Sequence, residues 1–467
     1  MTTTRSTKIS LNLILAILAA GLMSFSGVIV ETAMNITFPT LMTDMHVTTS
    51  TVQWMTTGYL LVVAIIVPIS ATLKRNFRTK TLFIIANLLF LAGLIIDVFA
   101  PTFPILLAGR LIQGFGTGIA LPLMFNIILE QVPLSKIGQM MGIGTLITAV
   151  APAIGPTFGG LVVASVGWRY IFVTLIPLIL ISLIMGITTI KQVSTVQRSA
   201  LDWHSLLSVA AGFTGLILGF NQLSEAGWLS PRVLGPIVVG LAALVFLVFR
   251  SLHIENPIIH MESLNNSTFL LHLVAFFLLQ FITIGMSFLL PNYIQLVNHQ
   301  SAFQAGLTVL PGPALGAVMA PFGGRLLDRF GAKRPIMAST ILYMVALSGF
   351  AIFAQNLSVF AIAGLYAVLM FGAGLGFGNT MTNGLKQLSP AAQADGNAVM
   401  NTIQQFAGAT GTAIVSTLVA LSQTSLKASG TVIATATGTQ HAFIVLLIGS
   451  IIAFGLLFKA LFTSNKA

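Results

Sequence analysis

The chain has 467 residues, of which 56% are hydrophobic and only 7% charged, with a formal net charge of +11 and a mean hydropathy of +0.98. Soluble domains carry about 25% charged residues, so this composition excludes a water-facing globular surface. The absence of cysteine excludes disulfides, thiolate metal sites and cysteine nucleophiles.

A membrane-crossing helix needs about 20 mainly apolar residues, and runs of that kind recur, among them Leu11 to Val30, Leu82 to Ala100, Ala351 to Phe377 and Ala442 to Phe462. In chain order the pattern predicts fourteen spans, near 11–35, 50–72, 81–100, 104–129, 138–164, 169–190, 204–224, 232–252, 268–292, 303–323, 335–354, 358–383, 396–421 and 441–462. The first run has no small-residue cleavage site and many spans follow it, so it reads as a span and not as a removable signal. The 43 glycines fit close helix packing.

An even number of spans puts both chain ends on one side. With that side cytoplasmic, 17 of the 21 Lys and Arg fall in inner segments, 3 in outer loops (Arg169, Arg232, Lys427), and Arg110 alone lies within a span. Basic residues accumulate in cytoplasmic loops, so the bias supports the span count and the orientation together. It also accounts for the positive charge without a nucleic-acid partner.

Two pairs of segments resemble one another. P-I-S-A-T-L-K-R-N-F-R-T-K at 68–80 matches P-F-G-G-R-L-L-D-R-F-G-A-K-R at 321–334, and Asn126 to Gly138 matches Asn383 to Gly396, at offsets of about 250 to 260 residues. Two six-helix bundles with two helices inserted between them explain this: an N-terminal bundle at 1–200, the inserted pair at 201–262 and a C-terminal bundle at 263–467. Repeated bundles around a central site are a transporter architecture.

At this point the residues resemble the major facilitator superfamily, and within it the fourteen-helix drug:proton antiporters of the EmrB/QacA type. G-R-L-L-D-R-F-G-A-K-R at 324–334 is similar to the family's loop motif, and R-L-I-Q-G at 110–114 to its fourth-helix motif with a buried Arg. A-P-A-I-G-P-T-F-G-G at 151–160 resembles the antiporter motif of the fifth helix, with Ala151 where Gly is usual. V-E-T-A-M-N-I-T-F-P at 30–39 resembles the first-helix signature, with Glu31 where Asp is more common. Leu201-Asp202-Trp203 and Tyr293-Ile294-Gln295 are further landmarks, and the likeness covers nearly the whole chain. One departure is that Arg75 and Arg78 stand where the first loop motif expects Asp and Gly, so that loop is expected to lack the charge contact that Asp328 and Arg329 offer in the second bundle. The resemblance implies an all-α major facilitator fold in the cell membrane, a monomer as working unit, and proton-coupled export of hydrophobic or cationic drugs by alternating access.

Charge within a span is costly and marks function. Glu31 is the expected proton carrier: it lies 8 residues inward of Pro39, and Arg110 lies 6 residues inward of Pro104, which puts them at comparable depth. Burial and a nearby cation act in opposite senses on a carboxyl, so the pair can exchange a proton near ambient pH; the alternative is an ion pair that only fixes helix packing. Asp97 is a second acidic candidate, expected near the membrane surface in contact with water, and Glu130 reads as a solvated helix end. Glu31, Asn35, Gln113, Gln280 and Tyr293 are the candidate substrate contacts. Pro152, Gly155, Pro156, Gly159 and Gly160 are expected to form a bend or seal between the bundles, and Gly324, Asp328, Arg329, Gly331 and Arg334 to control conformation at the second inner loop. The scattered His204, His253, His260, His272, His299 and His441 read as loop or interface residues without metal-ligand spacing.

Three functions compete: a proton-driven multidrug exporter, a proton-coupled exporter of one specific metabolite or antibiotic, and a membrane-embedded enzyme or receptor. Neither HExxH nor GxSxG nor a phosphate-binding GxxxxGK[ST] occurs, which argues against the enzyme and against ATP as energy source. No cofactor or metal is expected, only the proton as coupling ion.

Overall fold

The computed structural model describes residues 9–133, 137–193, 196, 202–227, 229–254, 257, 264–389 and 392–462. Its helices are α1 (Leu11–Asp44), α2 (Thr49–Val52), α3 (Trp54–Asn76), α4 (Thr79–Phe99), α5 (Phe103–Gln131), α6 (Ile137–Ser165), α7 (Arg169–Thr189), α8 (Trp203–Ala226), α9 (Pro231–Ser251), α10 (Ser267–Leu296), α11 (Ala302–Val309), α12 (Pro311–Phe330), α13 (Lys333–Phe353), α14 (Val359–Leu385), α15 (Gln393–Ser425) and α16 (Thr431–Phe462). Among the described residues thirteen stretches are long and apolar enough to cross a membrane, against the fourteen predicted; α6 contributes the shorter apolar segment Val150–Ser165. Helices are the natural choice because hydrocarbon offers no partner for an open backbone group.

Ends and breaks follow local chemistry. Ser10, Thr48, Asn266 and Ser358 each accept a hydrogen bond from a first-turn N–H, and Ser301 with Gln304 forms a full capping box. The second and tenth spans are each made of two helices, the tenth broken at Leu310 where Pro311 and Pro313 remove backbone donors. Helix α1 continues to Asp44, well beyond the predicted end near residue 35, because Pro39 is carried inside it. Glu31 is therefore 13 residues from that end, roughly 20 Å at 1.5 Å per residue, and sits at mid-helix.

The two halves repeat their packing. Helix α1 lies on α6 and α7 as α10 lies on α15 and α16, and the pairs α3–α5, α4–α5 and α4–α7 recur as α12–α14, α13–α14 and α13–α16. Between the halves, α3 packs on α15, and α6 on α11 and α12. The inserted α8 and α9 close on one another through glycine: a Cβ on Gly215 would come within 2.5 Å of the Pro236 carbonyl oxygen. The pair sits over the α3–α15 seam, where Phe213 stacks on Phe406 at 4.1 Å and Gln53 Nε2 donates to Asn221 Oδ1 at 3.0 Å. His272 is an internal residue of α10 and no loop residue: it is buried, with Nδ1 2.8 Å from the Thr268 carbonyl oxygen and Nε2 2.8 Å from Asn383 Nδ2. His260 lies outside the described residues.

Candidate functional site

Three of the buried charges come together in the first half. Arg110 on α5 is fully enclosed; its Nε donates to the Met55 carbonyl at 3.3 Å, its Nη1 donates to Gln113 Oε1, and its Cζ stands 4.2 Å from the centre of the Tyr59 ring. Gln113 passes the contact on, its Nε2 donating to Asp97 Oδ2 at 2.7 Å. The Tyr59 hydroxyl is fixed 2.9 Å from the Gly27 carbonyl oxygen and 2.7 Å from Thr117 Oγ1.

Asp97 does not meet water as expected from its place near the end of α4: it is fully buried. Glycines explain this. A Cβ on Gly109 would stand 2.0 Å from Asp97 Oδ1, and one on Gly93 would stand 2.6 Å from the Gly109 carbonyl oxygen, so α4 and α5 close around the carboxylate where a side chain would have held them apart. Glu31 is different. It keeps 8% of its surface accessible while Asp97, Arg110 and Gln113 keep none. It interacts with Arg110 through space, yet among the described residues Arg110 forms no ion pair; its Nε and Nη1 are given to Met55 and Gln113. Arg110 Nη2 and Asp97 Oδ1 have no hydrogen-bond partner.

One turn along α1 from Glu31, Asn35 joins three helices. It accepts from Thr56 Oγ1 at 2.8 Å and donates to Ser287 Oγ on α10 at 3.1 Å. Towards the side opposite the chain ends, the halves are closed against each other. Gln295 Nε2 donates to the Ile36 carbonyl at 3.0 Å, Thr49 Oγ1 to Gln423 Oε1 at 2.8 Å, and Thr157 Oγ1 to the Gly306 carbonyl at 3.1 Å. Of the residues singled out on α6, Pro156 and Gly160 lie against the second half, while Gly155 and Gly159 lie against α1 of their own half. Cβ atoms at Gly155 and Gly159 would strike Thr32 and the Ala33 carbonyl of α1, one at Gly160 would stand 2.4 Å from the Ala302 carbonyl oxygen, and one at Gly306 2.4 Å from that of Pro156. Behind them lies a cavity lined by Thr32, Pro152, Pro156, Thr283, Met286, Ser287, Pro291, Tyr366 and Met370. It is mainly apolar, and most of its wall comes from the second half.

Other predicted residues lie apart from this cluster. Gln280 is half-buried on α10, while Tyr293 is buried and donates to the Ala354 carbonyl at 2.7 Å, bracing the end of α13. At the second inner loop Gly331 ends α12 at φ +75°, a left-handed conformation that suits glycine, and Gly324 has open space beside it. Arg329 and Arg334 are exposed, each over the Phe330 ring at 5.2 and 5.4 Å. The Asp328 side chain lies outside the described residues. In the first loop Lys74 pairs with Glu130, so the ends of α3 and α5 are tied by charge despite Arg75, and Glu130 is not simply a solvated helix end.

The family model of the Major Facilitator Superfamily matches residues 16–412. The chain belongs to that superfamily. Among curated members of the Major Facilitator Superfamily and its relatives it is 37% identical to the lincomycin resistance protein LmrB of Bacillus subtilis over 450 residues, covering 94% of this chain and 93% of that one. It is 38% identical to LmrB of Listeria monocytogenes, with 87% of each covered, and 28% identical to the multidrug resistance protein B homolog of Mycobacterium tuberculosis, with 83% and 72% covered. A bacterial homolog of the human lysosomal transporter Spinster shares the fold, with a TM-score of 0.72 at 15% identity over 97% of this chain and 98% of that one.

Within this Major Facilitator Superfamily member, sequence reasoning did not find Tyr59, Thr56, Ser287, Thr283, Tyr343 or Tyr366. The repeat carried a signal for two of them. Helices α1 and α10 begin at Leu11 and Ser267, and α5 and α14 at Phe103 and Val359, an offset of 256 in both cases. It places Ser287 opposite Glu31 and Tyr366 opposite Arg110. The second half therefore keeps the positions and drops the charges. Thr283 and Tyr343, 3.0 Å apart between their hydroxyls, carry no such mark.

Proposed function

We propose that this protein is a proton-coupled multidrug exporter of the cell membrane that works by alternating access, with both chain ends cytoplasmic. The observation that carries the reading is a carboxylate in the middle of α1, Glu31, which keeps 8% of its surface accessible within charge range of a fully buried Arg110. The drug-resistance names of its relatives support the substrate class.

In the cycle this arrangement supports, the cavity is open to the cytoplasm while the α6–α11 closure seals the outer side. An apolar cation enters against Met286, Met370 and Tyr366, soft and aromatic walls that adapt to varied shapes, and finds Glu31 ionised. Parting of α6 from α11 then exposes the site outward, and a proton taken by Glu31 cancels the charge that held the drug. Arg329 and Arg334, which lie over the Phe330 ring here, would find helix-end partners when the inner side closes. The bundle limits at about residues 200 and 262 make the inserted pair a rider on the α3–α15 seam.

The test is a susceptibility panel in a pump-deficient host, including lincomycin, with and without a protonophore. Protection against several unrelated drugs that the protonophore removes is the expected result. Protection against one compound only would establish a specific exporter, and protection indifferent to protonophore would sink proton coupling. In vesicles Glu31→Gln should abolish efflux driven by a pH gradient while the protein stays folded; normal efflux by that variant removes Glu31 from the mechanism.

A further inference from the structure

We infer that Asp97 is the permanently ionised counter-charge of Arg110, held there by Gln113, and that this leaves the site exchanging one proton at Glu31. The inference rests on the proton-coupling reading above. It begins with charge. Arg110 carries +1, and Asp97 and Glu31 together can carry −2, so with both carboxyls ionised a buried cluster bears a net −1. A low-dielectric interior disfavours net charge strongly, and a single proton makes the cluster neutral. The question is which carboxyl takes it.

Geometry decides. Asp97 is sealed between α4 and α5, with no accessible surface and Gly109 directly against its Oδ1. One carboxylate oxygen accepts from Gln113 Nε2 at 2.7 Å, and the same amide accepts from Arg110 through its oxygen. That order of donors and acceptors polarises the amide from guanidinium to carboxylate and offsets part of the cost of ionising Asp97, whose Oδ1 has no partner among the described residues. Glu31 is buried too but keeps 8% of its surface accessible, its helix neighbour Thr32 lines the cavity, and it is not engaged by the Arg110 fork, whose Nη2 remains without a partner among the described residues. The other titratable groups facing the cluster do not change the count. Tyr59 on α3 is held by Gly27 and Thr117, Arg169 at the start of α7 donates to the Ala100 carbonyl at 2.9 Å, and α6 carries no ionisable residue. With Glu31 ionised the site is one charge negative, which selects a monocation as the species that can replace the proton.

The full-length protein in liposomes tests this by infrared titration, which reads the carboxylic-acid C=O stretch with protons as the only probe. The wild type should show one buried acid band that titrates, and Glu31→Gln should lack it at every pH. Asp97→Asn preserves shape and can still accept from Gln113, so it is expected to fold; its Glu31 becomes the sole counter-charge of Arg110. The band's midpoint, and the pH profile of efflux with it, should move toward acid by about one pH unit or more, a tenfold change in proton activity. An unshifted midpoint in Asp97→Asn would show that Asp97 is only structural. A titrating band that persists in Glu31→Gln and vanishes in Asp97→Asn would reverse the roles. If Glu31 titrates normally yet wild-type efflux ignores a protonophore, proton coupling fails while the charge assignment stands. Should Asp97→Asn not fold, Gln113→Leu breaks the same bridge and must shift the same midpoint.

Discussion

Asn35 Nδ2 donates to Ser287 Oγ at 3.1 Å, joining the two halves at the position where the repeat sets Ser287 opposite Glu31. The bond lies one turn from the proposed proton carrier, and Thr56 holds the same Asn35 from α3 at 2.8 Å. Asn35 thus ties the helix that carries Glu31 both to α3 and to the second half.

Replacing Ser287 by Ala removes the cross-half bond and leaves Asn35 Nδ2 without its partner, at a cost of about 1–3 kcal/mol if it stays buried. The closed outer state should lose population. Because the chain has no cysteine, a single Met370→Cys reporter can be labelled from outside with an impermeant maleimide, and its labelling rate should rise several-fold in Ser287→Ala. An unchanged rate would show that the bond does not hold the halves together.

Gly306→Val acts on the same equilibrium through shape. Its Cβ would stand 2.4 Å from the Pro156 carbonyl oxygen, a clash with backbone that only separation of α11 from α6 relieves. Efflux should fall at least tenfold, equivalent to about 1.4 kcal/mol, while the Met370→Cys reporter becomes open to labelling from outside. Normal efflux would mean that this contact need not form in the cycle.

Arg110→Lys keeps the charge and loses the planar fork. One ammonium must meet the Met55 carbonyl and Gln113 from a single nitrogen where the guanidinium uses two, and the stack on Tyr59 is weakened. We expect efflux reduced tenfold or more and a thermal midpoint lowered by several degrees, read from melting in detergent. Full activity with wild-type stability would show that only the charge matters.

A pH-dependent contribution to stability comes from the start of α8. Burial by itself would raise the Asp202 carboxyl, but hydrogen bonds from Arg250, at 2.9 Å from Nε, and from Ser205 outweigh it and hold the group below its usual range. A depressed carboxyl stabilises above its unfolded value, about 3.9, and the contribution is lost as pH falls through the folded value. Asp202→Asn should therefore lower stability by about 1 kcal/mol at pH 7, given the partial exposure of Arg250, and the gap to wild type should close below about pH 4. A gap that persists in acid would assign the effect to capping of α8 alone.

By itself the sequence determined the solvent and the kind of fold, because hydrocarbon leaves few options: apolar runs of span length and helical backbone. It also marked Glu31 and Arg110, since charge inside a span is rare enough to stand out. Only the tertiary structure decided what those charges touch. Asp97 looked like a surface residue until Gly93 and Gly109 let α4 and α5 close over it. Arg110 looked like the partner of Glu31, but the three-residue spacing on α5 gives its fork to Gln113 instead. Likewise the glycines of α6 read as small residues in sequence, and their work depends on which carbonyls of α1 and α11 come up against them. Contacts between helices far apart in the chain are set by how whole helices pack, and no local run of residues encodes that.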